Sequence, residues 1–317
     1  MIKSFIKILF MSFFISLGVT KVGLALTPTQ PSNPYSDESF QLIKNYYLVN
    51  NQLPGFRVIS NTQESFSTYK LQIVKLSVNQ YPDVVFVLKM PLLISKPLPA
   101  VVLFSGFQTG AQAVQLVDDP KSVIYVGFEY PWPFNFSKQN AAWDWKRMES
   151  VPILMALTVL WLRQQAFIDQ QKISIINVSF GNLFYPLAQR LLNEQGVFPK
   201  AIVFGYGGVE ISEVIGHFLE SKIGPWELAL TKTLIQSQSW IFEPKFHLAH
   251  LNGPFLVVNG ANDDVFPALS QQKLITGLPQ QPQIVTIPGG HIQPDRPDLI
   301  RQFMNEVMGF LQKSDAL

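Results

Sequence analysis

Six short, almost wholly apolar runs dominate the chain from its hundredth residue onward. They are Ala100–Phe104 (AVVLF), Val123–Val126 (VIYV), Ile173–Ile176 (ISII), Ala201–Phe204 (AIVF), Pro254–Val258 (PFLVV) and Ile284–Ile287 (IVTI). A strand with one wet face alternates apolar and polar residues. A strand without alternation is buried on both faces, as in a parallel sheet covered by helices. Helix-like segments separate several of these runs. Val151–Phe167 is the longest, with Ser150 as its cap and Pro152 in its first turn, followed by Asn182–Gln195 and Pro297–Gln312. This alternation predicts an α/β fold, a mostly parallel, doubly wound sheet with right-handed crossovers.

The chain before residue 99 reads differently. Tyr69–Val78 (YKLQIVKLSV) alternates, and Val84–Leu88 (VVFVL) follows Pro82-Asp83, so the two read as an antiparallel hairpin. Residues 36–70 show no clear period, and Leu26–Pro34 (LTPTQPSNP) reads as a flexible leader. Between the fourth and fifth runs, Gly208–Pro244 interrupts the alternation with a helical composition that includes Trp226 and Trp240. It is either a small helical cap, spanning 209–244, or a long crossover.

Of the 317 residues, 47% are hydrophobic and 15% charged, enough for a large core and too apolar for a disordered chain. Part of that excess lies at the start. Lys3 and Lys7 precede the apolar stretch Ile8–Val19, and Gly23-Leu24-Ala25 supplies small residues for cleavage. This is the layout of a secretory signal, and its core is shorter than the ~20 residues that span a bilayer. The expected organisation is a signal over 1–25 and one α/β domain over 26–317. The mature chain is then periplasmic or extracellular, with no stable membrane anchor after cleavage. Without the three lysines of the first 25 residues, the balance is 21 basic to 22 acidic, which gives no basic patch for nucleic acid. The absence of cysteine excludes disulfides, thiolate nucleophiles and cysteine-based metal sites.

One hydroxyl stands out. Ile175-Ile176-Asn177-Val178-Ser179-Phe180-Gly181-Asn182 carries a serine where a buried strand gives way to a helix. Ser179 is either a helix cap or a nucleophile on a sharp strand-to-helix turn. Such a turn wants small residues two before and two after the serine. Gly181 fits, and Asn177 stands where glycine is usual.

A serine hydroxyl needs a base, and the base needs an orienting group. Of the four histidines, His217, His247 and His250 read as surface or packed residues. His291 lies in Pro288-Gly289-Gly290-His291, directly after a strand. The turn Asn259–Pro267 also follows a strand and carries Asp263 and Asp264, either a solvent-facing Asx turn or the orienting acid. The order is then Ser, Asp, His, each just past a strand.

In these stretches the chain resembles the α/β-hydrolases, nearest to the dienelactone-hydrolase and serine-peptidase-like esterase branches. The resemblance runs from about Ala100 to the C-terminus. Asn177–Gly181 is similar to the family's nucleophile elbow except at Asn177. Gly260–Pro267 resembles its acid turn, which implies Asp263 rather than Asp264. Gly290-His291 resembles its histidine loop. Leu103–Phe107 resembles the loop after its third strand, with Ser105 where the family usually has histidine. The resemblance implies catalytic Ser179, Asp263 and His291, an oxyanion hole from the backbone N–H groups of Phe107 and Phe180 with Gln108 as an extra donor, and no metal or cofactor. Phe128–Phe136, with Tyr130 and Trp132, follows a strand and could wall an apolar substrate pocket together with Phe107, Phe180 and Trp226; alternatively its aromatics anchor a Pro-rich loop. The reading is a secreted serine acyl hydrolase acting on an uncharged, hydrophobic ester or acyl substrate. The alternative is a non-catalytic protein of the same fold that binds a ligand or another protein.

Overall fold

The computed structural model of the protein describes residues 28–106, 109–131 and 141–317, and the backbone alone for 141–144. Nine strands form one sheet: β1 (Phe56–Ser65), β2 (Tyr69–Val78), β3 (Val84–Pro91), β4 (Leu98–Phe104), β5 (Ile124–Glu129), β6 (Ile168–Val178), β7 (Ile202–Gly205), β8 (Phe255–Gly260) and β9 (Gln283–Ile287). Their order across the sheet is β1-β2-β3-β5-β4-β6-β7-β8-β9. The pairs from β1 to β3, and β3 with β5, are antiparallel. Every pair from β5 to β9 is parallel. The six apolar runs are thus the parallel strands, and the hairpin of Tyr69–Val78 with Val84–Leu88 falls in the antiparallel start. Strand β9, at the sheet edge, is not buried on both faces as expected, with Gln283, Ile284 and Thr286 exposed.

Seven helices accompany the described strands: α1 (Asp37–Tyr47), α2 (Ala141–Arg163), α3 (Tyr185–Asn193), α4 (Ile211–Leu219), α5 (Pro225–Ser239), α6 (Ala268–Gly277) and α7 (Pro297–Lys313). Helix α2 packs between β3, β6 and α3, and from Val151 to Leu157 every side chain except that of Pro152 is an apolar one with essentially no exposure. A helix apolar all round has to be enclosed in this way. Helix α7 covers the opposite face with Leu299, Phe303, Val307 and Phe310, a single stripe at helical spacing. Two apolar cores result, one on each side of the sheet.

The structure corrects several expected boundaries. Helix α2 begins ten residues before Val151 and ends at Arg163, so Pro152 lies inside it. Ser150 does not cap it: its hydroxyl donates to the carbonyl of Arg147 at 2.6 Å, a back-bond within the helix next to the proline. Helix α3 starts at Tyr185 because a 3-10 turn, Ser179–Leu183, comes first. Residues 36–70, read as aperiodic, contain α1 and β1. Ser36 caps α1 by accepting the N–H of Ser39 at 3.2 Å, and Phe40, Ile43 and Tyr47 bury one face. The leader is tied down from residue 28, where the indole of Trp240 donates to the carbonyl of Pro28 at 2.7 Å.

Strand order reverses at β4. The chain steps to β5 on one side and returns to β6 on the other. In open α/β sheets, ligands gather outside the carboxyl ends of the strands at such a switch point. Here that crevice lies beyond Phe104 of β4 and its register partner Asn177 of β6.

Candidate active site

Ser179 stands at the first position past β6 with φ of +52°, the left-handed region that a non-glycine residue enters at a cost of about 1–3 kcal/mol. The conformation turns the hydroxyl out of the strand direction before the 3-10 turn begins. Two contacts hold it there. Gly181 passes so close to β4 that a Cβ would lie 2.0 Å from the carbonyl oxygen of Phe104. The side-chain amide of Asn182 donates to the carbonyls of Ser179 at 3.0 Å and of Gly205 at 2.9 Å, tying the turn to β7.

Asn177, where glycine is usual, needs no glycine-like backbone. It stays in the extended strand, paired with Phe104 and Phe204, and its amide reaches the carbonyl of Val203 at 3.3 Å. The strained residue is Ser179 itself.

The other two groups arrive from β8 and β9. Backbone bonds sew their loops together: Ala261 N–H donates to Ile287 and Asn262 N–H to Gly289, both at 2.9 Å. Gly289, with φ of +133°, makes the bend that brings His291 over. His291 Nε2 then lies 2.8 Å from Ser179 Oγ, and its Nδ1 lies 3.0 and 3.1 Å from the two oxygens of Asp263. The Asp263 side chain is fully buried, and its Oδ1 also accepts the N–H groups of Val265 and Phe266 at 2.9 and 3.0 Å. These donors fix the carboxylate in its orientation toward the imidazole. With the acid accepting from Nδ1–H, Nε2 is left to accept the serine proton. Asp264 is exposed and stands outside this relay.

The imidazole is also held by packing. The Phe266 ring lies nearly parallel to it at 5.9 Å and the Tyr206 ring edge-on at 5.8 Å. Neither was singled out from the sequence, nor was Asn182. The only signal for Asn182 is a side-chain donor placed three residues after the serine.

The loop after β4 is pinned from several sides. The Ser105 hydroxyl donates to the carbonyl of Gly110 at 2.8 Å, its own carbonyl accepts the Tyr130 hydroxyl at 2.7 Å, and Glu129 accepts the N–H of Ala111 at 3.0 Å. Phe107, Gln108 and Trp132 lie outside the described residues. Phe180 occupies the first turn after Ser179.

A cavity of about 250 Å³ opens beside Ser179 and His291. Two expected wall residues are elsewhere. Trp226 is 72% exposed at the start of α5, because a helix-start residue there faces solvent rather than the sheet. Tyr130 is buried behind Phe180, its ring edge-on at 5.2 Å, with its hydroxyl committed to Ser105. The cavity wall comes instead from residues such as Ile211 and Val214 of α4, and Phe303 and Met304 of α7. The segment 209–244 therefore forms part of the wall through α4.

His217 and His250 are at the surface, and His247 is buried away from the cavity. Among the described residues no group of three or more histidines and carboxylates is placed to share a metal ion.

Compared with solved structures, the chain is similar to acetyl xylan esterase 1 from Thermoanaerobacterium sp. JW/SL YS485, with a TM-score of 0.60 at 13% identity over 85% of this chain and 93% of that one. It is similar to an acetyl xylan esterase from Paenibacillus sp. R4, with a TM-score of 0.59 at 11% identity over 85% and 92%. The chain has the α/β-hydrolase fold. A prolyl endopeptidase shares the fold at a TM-score of 0.53 and 12% identity, over 86% of this chain and 48% of that one. No protein-family model and no curated protein matches the sequence. The similarity covers 85% of this chain, more than the stretch from about Ala100 to the C-terminus alone.

Proposed function

We propose that the protein is a serine acyl hydrolase of the esterase type, acting on an uncharged, apolar ester. The carrying observation is the relay from Ser179 Oγ to His291 Nε2 at 2.8 Å and from His291 Nδ1 to Asp263 at 3.0 Å. In this reading Ser179 attacks the acyl carbon while its proton passes to His291. The tetrahedral oxyanion is met by the N–H of Phe180 and, from the loop after β4, that of Phe107. His291 then gives the proton to the leaving oxygen as the carbon–oxygen bond breaks. A water repeats the sequence on the acyl-enzyme and returns Ser179 to its free form. Asp263 holds the imidazolium in place through Nδ1–H. The fold is shared with two acetyl xylan esterases and with a prolyl endopeptidase, so it fits hydrolysis of an ester or an amide, and the ester is the bond proposed.

The same reading takes residues 1–25 as a cleaved export signal, on the layout of lysines, apolar stretch and small residues, and places the mature protein in the periplasm or outside the cell. A mature chain whose mass begins at Leu26 is the expected result.

The test of the activity is a fluorophosphonate probe on the folded protein. Labelling that disappears in Ser179→Ala is expected, and an unlabelled wild-type protein overturns the proposal.

A further inference from the structure

The cavity beside Ser179 has walls from both cores of the molecule. Phe184, Ile211, Val214 and Phe242 belong to the core on the α2 side of the sheet. Val117 and Phe303 belong to the α7 side, with Ile292 and Met304 packed against that core. The cavity therefore takes apolar wall from both sides of the sheet, and its two lobes are the part walled by α4 and the part walled by α7. Its described wall has no Asp, Glu, Lys or Arg, and beyond Ser179 and His291 its polar side chains are Ser105, Thr109 and Gln293. Ser105 is already committed to Gly110. Against these described residues a polyhydroxylated substrate half would leave most of its hydroxyls unpaired, at a cost of about 1–3 kcal/mol for each. An alkyl chain would lose nothing and gain burial.

The two lobes can be assigned by proton traffic. His291 has to protonate the leaving oxygen, so the leaving group must extend on its side. Ile292, Gln293 and Pro294 continue from His291 along the α7 lobe. The acyl chain is then left with the lobe beneath α4.

Resting on the serine acyl hydrolase reading above, we propose that the substrates are esters apolar on both sides of the scissile bond, with the acyl chain in the α4 lobe and the alcohol chain in the α7 lobe. This is a narrower class than acetylated sugars or acetyl esters in general, because both halves are selected for length. Val214 and Met304 are the residues that set the length on each side.

Two ester series test it on the purified protein. One runs from p-nitrophenyl acetate to p-nitrophenyl octanoate, the other from methyl to hexyl butanoate followed by pH-stat. The expected result is a rise in kcat/KM of about fourfold per methylene in each series until a lobe is full, the fold-change that corresponds to about 0.8 kcal/mol per buried CH₂. Val214→Trp should cut the octanoyl-to-acetyl ratio at least about tenfold and leave the hexyl-to-methyl ratio unchanged. Met304→Trp should do the reverse. Ratios taken within one variant cancel any loss of folded protein, and Val214→Phe and Met304→Phe provide a milder pair. A rate that falls from the shortest ester onward in either series overturns the inference, as does a pair of variants that move the same ratio. If Ser179 is labelled by fluorophosphonate and that pattern appears, this inference alone fails. If neither labelling nor hydrolysis of any ester is seen, the reading beneath it fails as well.

Discussion

The side-chain amide of Asn182 reaches the carbonyl oxygen of Gly205 at 2.9 Å, while a second bond from the same nitrogen holds the carbonyl of Ser179. One buried side chain thus clamps the serine turn to the neighbouring strand. Asn182→Asp keeps the shape, but an ionised carboxylate has no hydrogen to donate to either oxygen. We expect it to lower kcat at least about tenfold with a smaller change in KM, and to cost about 1–3 kcal/mol of stability. Steady-state kinetics and a denaturant melt measure the two effects. A change confined to stability would show that the clamp has no part in aligning Ser179.

Gly181→Ala tests the turn from the other side. The new Cβ would lie 2.0 Å from the carbonyl of Phe104, a backbone atom of a central strand that cannot swing away as a side-chain tip could. Either β4 shifts or the turn reopens. Loss of fluorophosphonate labelling is expected in any folded fraction, together with a lower melting temperature by circular dichroism. A variant that melts and labels like the wild type would contradict the close approach.

Asp263 and Asp264 are adjacent, yet only the first meets His291. In Asp263→Asn the amide presents a donor or a neutral oxygen to Nδ1, and the imidazole loses the tautomer and orientation that the serine needs. We expect kcat to fall by a factor on the order of 10³–10⁴. Asp264→Asn, on an exposed side chain, should stay within about twofold of wild type. Equal losses in the two variants would break the assignment.

The parts of this fold legible in the sequence are those whose burial is extreme. The apolar runs that became β4 to β8 are strands covered on both faces, whereas β9 lies at the sheet edge with Gln283, Ile284 and Thr286 exposed. Ser179, Asp263 and His291, just past β6, β8 and β9, inherit their place from the strand ends. Strand β1 left no such trace. It lies at the sheet edge with Phe56 and Ser60 half-buried and the rest exposed, so nothing in its side chains enforces a period of two. Helix α1 had a readable cap at Ser36 and apolar residues at 40, 43 and 47, a signal missed because the flanking segments are irregular. The pocket walls were misread for another reason. Aromatic content near a strand end does not say which way a ring points, and Trp226 and Tyr130 went outward and inward respectively. Phe180 does line the cavity, and the rest of the wall comes from ordinary core residues, Ile211 and Val214 on α4 and Phe303 and Met304 on α7 among them.

His247 supplies a pH-dependent prediction. It is fully buried, and burial first, with the positive charge of Arg190 next, lowers its pKa to about 3. The hydrogen bonds agree on the neutral form. Arg190 can only donate, so Nδ1 at 3.5 Å from it must accept, and Nε2–H donates to the carbonyl of Ile241 at 2.7 Å. In the unfolded chain this histidine titrates near pH 6.5. Between that value and about 3, the unfolded state binds the proton and the folded state does not. Stability from this group is therefore complete above pH 6.5 and declines as the pH falls below it, at up to about 1.4 kcal/mol per pH unit. Replacing the imidazole by a group that does not titrate removes the slope. The expected outcome is that denaturant melts of wild type at pH 7 and pH 5 differ by more than those of His247→Gln, whatever the absolute stability of the variant. Equal pH slopes in the two proteins would mean that His247 can take a proton without leaving its site, against both of its hydrogen bonds.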